Sequence, residues 1–354
     1  MKKFLLASSA MVAATAVSAP AFAEDGKINL SVFTQFHASS TDADNNADDT
    51  NNGHDFNTNS EIKLTASNTA DNGLKYGLVI ELEADQDSTN NADENYIWLE
   101  GDFGRIELGD QDGAKDGLLV TGADVGLMYG MIDNPTGSSV SGGSVTAGTG
   151  ADTAADVADS SDATKITYYT PNFNGFKAGV TYAADGSQGN AVSEREVDQF
   201  GEQIIEAAVA YSGSVNDFSI EAGFGGTYLD NTNLPSAVDE NTVWGVQTGI
   251  NVGYAGFTVG VGYSYEDGDE FFDDQHSFDA GINYTTGPWQ FAVAGVWSET
   301  DYEATDEITN TAISAGVQYE VAPGLSVYGS AITGDYEGGS DEFTSVQSGV
   351  LVSF

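Results

Sequence analysis

Along the second half of the chain, apolar and polar residues alternate with a period of two. Trp244, Val246, Thr248, Ile250, Val252 and Tyr254 share one face, and Gly245, Gln247, Gly249, Asn251 and Gly253 share the other. After Ala255-Gly256 the pattern resumes with Phe257, Val259, Val261, Tyr263 and Tyr265. It recurs in Phe278, Ala280, Ile282 and Tyr284, in Trp289, Phe291, Val293, Gly295 and Trp297, and in Ile313, Ala315, Val317 and Tyr319. Alternation of this kind over ~10 residues predicts strands, each with one apolar face. The first half repeats it more weakly, from Ile28, Leu30, Val32 and Phe36 through Ile62, Leu64 and Ala66 to Leu74, Tyr76, Leu78, Ile80 and Leu82. Residues 95–101 are ambiguous, because Ile97 and Leu99 compete with Tyr96 and Trp98 for the apolar face. Three further runs start at Phe176, Ile205 and Phe218, and Val346, Val350 and Val352 close the series.

The connections alternate as well. Those at 255–256, 285–288 and 320–324 are short, whereas 266–277, 298–311 and 334–344 are long and rich in Asp, Glu and Asn. Short turns at one end and long loops at the other are the layout of an outer-membrane barrel. The predicted class is all-β: an antiparallel transmembrane β-barrel of about 16 strands. Closure is required, because in hydrocarbon each unpaired backbone group costs several kcal/mol. Tyr168, Tyr182, Tyr211, Tyr254, Tyr284, Tyr319 and Trp297 fall near predicted strand ends, where an interfacial aromatic girdle would put them. Ordinary β-propensity is the competing reading.

Residues 111–163 break the alternation. They hold few large apolar residues and many Gly, Ser, Thr, Ala and Asp. A loop of that length is functional or disordered, and it cannot bury a core of its own.

Composition sharpens the picture. The chain has 354 residues and opens with Lys2 and Lys3, an apolar run over 4–17 and Ala21-Phe22-Ala23. That pattern predicts a secretory leader over 1–23, cleaved to leave a mature barrel over 24–354. Cleavage removes two of the 10 basic residues and none of the 55 acidic ones, moving the formal net charge from −45 to −47. Nucleic acid is excluded as a partner, because phosphate binding needs a basic face. The mature chain lacks the ~20-residue apolar run of a membrane helix. With no Cys, three His and no nucleophile-and-base motif, the sequence predicts no enzyme and implies no cofactor.

The few basic residues have informative parity. Lys27, Lys63, Lys75, Arg105, Lys165 and Lys177 each sit beside outward-facing apolar residues, so all six should face the lumen. Lys or Arg facing lipid would cost ~2–4 kcal/mol, so any barrel sorts them inward. Lys115 and Arg195 fall in loops, as do His54 and His276, while His37 ends a strand. An excess of acid along an aqueous path favours cations, modestly in a wide pore with a Debye length of ~8 Å. Asp42, Asp44, Asp48 and Asp49, with Asp55, offer hard oxygen ligands for weak Ca²⁺ binding. They miss the EF-hand spacing at Ala47 and Gly53, and a solvated acidic surface is the heavier reading.

Residues 99–112 and 168–176 resemble the paired hairpin motifs of the Gram-negative general diffusion porins, of the alphaproteobacterial type. The resemblance implies that 111–163 is a constriction loop folded into the pore. It also implies that Asp112, Asp116, Asp124 and Asp133, with Asp152, Asp156, Asp159 and Asp162, oppose the wall cations across a transverse field. Terminal Phe354 resembles the assembly signal of outer-membrane proteins. The loop lacks the Pro-Glu-Phe-Gly-Gly motif of some relatives. The family implies passive passage of small hydrophilic solutes and ions, contact with outer-membrane lipid, and a homotrimer. Two alternatives stand beside it. One is a sugar- or oligosaccharide-selective porin, for which lumen-parity aromatics are few beyond Phe33, Phe103 and Tyr169. The other is a non-conducting surface barrel or adhesin.

Overall fold

The computed structural model describes residues 26–43, 53–84, 92–127, 131–132, 157–186, 188, 202–231, 241–268, 273–302, 307–336 and 342–354. The predicted leader, Arg195, Asp44, Asp48, Asp49, Asp133, Asp152 and Asp156 lie outside them. Among the described residues, sixteen antiparallel strands close into one barrel. The first eight are β1 (Lys27–Ala43), β2 (Gly53–Thr69), β3 (Lys75–Glu83), β4 (Ala92–Gly101), β5 (Gly104–Asp110), β6 (Thr164–Tyr169), β7 (Phe176–Asp185) and β8 (Glu202–Val215). The rest are β9 (Phe218–Asn231), β10 (Asn241–Tyr254), β11 (Phe257–Asp267), β12 (Asp274–Thr286), β13 (Trp289–Asp301), β14 (Ile308–Ala322), β15 (Leu325–Tyr336) and β16 (Glu342–Ser353). Each strand pairs with its sequence neighbours, and β1 pairs with β16. The seam ends where Phe354 N–H donates to the Val32 carbonyl at 2.9 Å.

The strands reach further toward the long-loop end than alternation predicts. β2 begins at Gly53 and β12 at Asp274, so His54 and His276 sit in strands rather than loops. His37 lies in the middle of β1 rather than at its end. Above the apolar band both faces of a strand are wet. The ladder continues there, but the sequence alternation that marks it disappears.

At the short-turn end the chain reverses in two residues. Ala255 (φ 52°) and Gly256 (φ 87°) both take left-handed conformations, which a two-residue type I′ turn demands. Aromatic pairs line this end: Phe218–Tyr254 at 4.6 Å, Phe257–Tyr284 at 4.3 Å and Trp289–Tyr319 at 4.6 Å between ring centroids. A second row, with Trp244–Tyr265 at 5.3 Å and Tyr263–Phe278 at 4.7 Å, lines the other. Trp244 and Tyr254 are ten residues apart on β10. At ~3.3 Å per residue and a tilt of ~40°, the rows stand ~25 Å apart, the height of a bilayer's apolar band.

β4 resolves in favour of Ile97, which is 51% exposed on the outer face. Tyr96 and Trp98 face inward. Gly77 makes room for the Trp98 ring, which a Cβ there would approach to 2.6 Å.

Four of the five buried apolar clusters among the described residues lie between residues 111–163 and the wall, and the fifth joins Tyr328, Leu351 and Phe33 within the wall. Ala114 and Leu118 pack with Tyr169. Leu127 and Met131 pack with Ala292 and Ala294. Ala123 and Ile132 join Val296, Ala312, Ile332 and Phe343. Glycines on the inner face of the wall bring the segment close to the backbone. A Cβ on Gly223, Gly249 or Gly281 would strike insert backbone oxygens, and one on Gly245 or Gly316 would strike Val157 or Leu127.

Candidate functional site

The insert leaves β5 through Gln111 and forms one helical turn, α1 (Ala114–Gly117), then a 3-10 turn over Ala123–Val125. A reciprocal box shapes the second turn. Thr121 Oγ1 accepts the Asp124 N–H at 3.1 Å and Asp124 Oδ2 accepts the Thr121 N–H at 3.0 Å. Side chains from successive strands then hold the insert's backbone. Thr181 Oγ1 accepts the Ala114 N–H at 2.7 Å, and Asp279 Oδ1 accepts the Ala123 N–H at 2.9 Å. Asn283 Nδ2 donates to the Val125 carbonyl at 2.9 Å, and Ser314 Oγ accepts the Ile132 N–H at 3.2 Å. The described part of the segment therefore runs along the inner wall from β7 to β14.

The return limb, 157–163, lies beside the outgoing one. Glu206 on β8 accepts the Lys115 N–H at 3.1 Å, the Ser160 N–H at 2.8 Å and the Ser160 hydroxyl at 2.5 Å. The fully buried Lys115 ammonium donates to the Val157 carbonyl and pairs with Asp159 at 3.4 Å. Lys115, expected in a loop, lies in the helical turn α1 within the insert, and its role there is to tie the two limbs.

The six strand cations divide. Lys63 pairs with Glu81 and, at 3.2 Å, with Glu94. Lys75 and Arg105 share Glu100 at 2.9 and 3.6 Å. Arg105 Nε also meets Glu107 at 2.5 Å, and its guanidinium lies 4.5 Å above the Trp98 ring. Lys177 sits 4.1 Å over Tyr169. Lys165 is buried beneath the insert, donating to the Ser160 carbonyl at 3.2 Å and to the Ser161 carbonyl, with Asp112, Asp159, Asp162 and Glu206 around it. Lys27 lies at the exposed end of β1, opposite Ser67. The structure thus brings Lys75 and Arg105 together at Glu100, places Lys63 with Glu81 and Glu94 further along the ladder, and sets Lys165 apart as a support for the insert.

Of the insert acids, Asp112 is half-buried beside Lys165, Asp116 is buried and Asp124 belongs to the Thr121 box. Among the described residues no cluster of three or more His, Asp or Glu has a metal-holding arrangement. Parity reasoning passes over the lumen carboxylates Glu81, Glu94, Glu100, Glu107 and Glu206, and leaves the side of Trp98 open. Their signal was present: each acid lies between outward-facing residues in a strand. The pattern Thr121-x-x-Asp124 was likewise a legible turn signal.

The family model for the Gram-negative porins matches residues 7–339. This chain belongs to the Gram-negative porin family. As a porin it forms an outer-membrane channel for small hydrophilic solutes and ions. Its similar relatives include a monosaccharide porin of a Halomonas species and the major outer membrane protein of Halomonas elongata. Each is 27% identical over 291 residues, 78% of this porin and 73% of the relative. Among solved structures, the anion-selective porin from Comamonas acidovorans superposes with a TM-score of 0.67 at 19% identity, covering 93% of this chain and 100% of that one. OmpT of Vibrio cholerae in its trimer form gives 0.62 at 15% identity, covering 93% and 99%. At these identities the two structures establish the shared fold.

Proposed function

We propose that this porin is a general diffusion channel with a modest preference for cations, exported with a cleaved leader and assembled as a homotrimer. One observation carries the ion preference. On β2–β5 the lumen rows hold Lys63, Lys75 and Arg105, and the same rows hold Glu81, Glu94, Glu100 and Glu107 as their partners. Glu61 and Glu83 extend those rows on β2 and β3. The wall is therefore net acidic where its cations are densest, and an acidic lining concentrates counter-ions. Screening over ~8 Å keeps the effect modest. Reversal potentials measured across a planar bilayer in a potassium chloride gradient should carry the sign of a cation-preferring channel. The opposite sign would sink this reading.

Support for assembly comes from the outer surface. On β15, β16, β1 and β2 it carries Gly329, Ala331, Thr333, Ser348, Thr34 and Ser60 among the exposed Val327, Val346, Val350 and Leu30 and the stacked Phe36–Phe56 pair, with Ser60 Oγ donating to Thr34 Oγ1 at 3.1 Å. On β9–β13 the same band is apolar and aromatic-edged. Small residues and paired hydroxyls suit a surface that meets protein rather than acyl chains.

A sugar-selective channel is the second reading, since one relative bears that name. Such a channel needs aromatic rings open to the water path. Trp98 instead lies between Gly77 and the Arg105 guanidinium, and Tyr169 is 7% exposed against Ala114 and Lys177. Block of single-channel current by monosaccharides would favour this reading. Silent bilayers would favour a surface barrel.

A further inference from the structure

The insert meets the wall at many points, but the neck, where its two limbs pass each other, is built differently from the rest. Thr181, Asp279, Asn283 and Ser314 each hold the outgoing limb alone. Glu206 holds both limbs. One carboxylate oxygen takes the Lys115 N–H, and the other takes the Ser160 N–H and hydroxyl. The site is tight: a Cβ on Gly113 would overlap the Glu206 carboxylate, so the outgoing limb passes it as bare backbone. Glu206 is itself fully buried. Two cations brace the same point, Lys115 from within the insert and Lys165 from β6, and both donate to return-limb carbonyls.

We propose that Glu206 is the positioning residue of the channel. Its carboxylate clasps the base of the insert, so that the outgoing limb at Lys115 and the return limb at Ser160 are held together against β8. The chemistry favours a carboxylate at this point. Three N–H and O–H donors converge on one side chain, and an ionised carboxylate is an acceptor on both oxygens. An amide has one accepting oxygen and presents an NH₂ group to the remaining donors, so Glu206→Gln keeps the shape of the side chain while releasing one limb. A released limb lets the base of the insert move, and motion there changes the bore during conduction.

The inference rests on the channel function, is independent of ion preference, and is tested on the full-length porin in planar bilayers. Glu206→Gln should fold, judged by the gel mobility of unheated protein. It should then show severalfold greater open-channel noise, added subconductance levels and closure at a lower voltage than the wild type. Ser160→Ala removes one donor without touching the barrel, and should move the same three readouts in the same direction by less. Glu221→Gln, at another lumen carboxylate on β9, should shift the reversal potential alone. Wild-type noise, levels and closing voltage in folded Glu206→Gln would overturn the proposal. If that variant fails to fold, unchanged traces from Ser160→Ala would overturn it as firmly. A wild-type chain that never conducts would overturn the channel function as well, so the two failures are distinguishable.

Discussion

Arg105 shows how much one lumen side chain is asked to do. Its guanidinium stacks on Trp98 and meets carboxylates on its own strand and on β4. It is partly open to water, so its charge is screened and its pairs contribute little to stability. Its effect is on the field inside the pore. Arg105→Gln removes the positive member of a net acidic group, and should shift the reversal potential further toward cation preference with conductance nearly unchanged. Lys115 is the opposite case, because it is fully buried. Lys115→Met leaves the Val157 carbonyl without its ammonium donor, at a cost of ~1–3 kcal/mol. The loss falls on the insert rather than the barrel. Limited digestion with a broad-specificity protease should cut the insert at a lower dose, while the barrel fragments stay paired.

At the scale of elements, each strand separates two media, and that separation made most of them readable. Where oil meets one face and water the other, the period of two is clean, as in β10–β13. Val293, exposed on the lipid side of β13, should tolerate no charge: Val293→Lys is expected to cost ~2–4 kcal/mol in a urea titration of the folded barrel, with single-channel conductance unchanged. The same logic explains what sequence reading missed. β4 was ambiguous because its inner face is not simply wet; Trp98 packs there against Gly77 and Arg105. The upper ends of β2 and β12 resemble loops in sequence because nothing apolar is needed above the bilayer. The path of the insert was hidden for another reason. Its backbone N–H groups are satisfied by Thr181, Glu206, Asp279 and Ser314, each on a different strand and far away in sequence. Parity could say which way Lys63 and Arg105 point, but a partner on the next strand depends on register, which alternation alone leaves open.

For the whole molecule, the uneven outer surface is the feature with the widest reach. If the sector from β15 through β1 to β2 is where copies meet, a large side chain there should be felt only in the assembly. Ala331→Trp should lower the temperature at which unheated oligomer falls to monomer on a gel, whereas Ala280→Trp on β12 should leave it unchanged. Equal effects from both would place the copies elsewhere on the barrel. The inner surface has a different consequence. Beneath the insert the wall is bare backbone at Gly223, Gly249 and Gly281. A single methyl added at any of these points acts as a shim, lifting the inlaid segment toward the far side of the lumen. Mutation can therefore tune the diameter of the passage from behind, without altering any group that a traversing molecule touches, so size and charge discrimination are free to evolve apart.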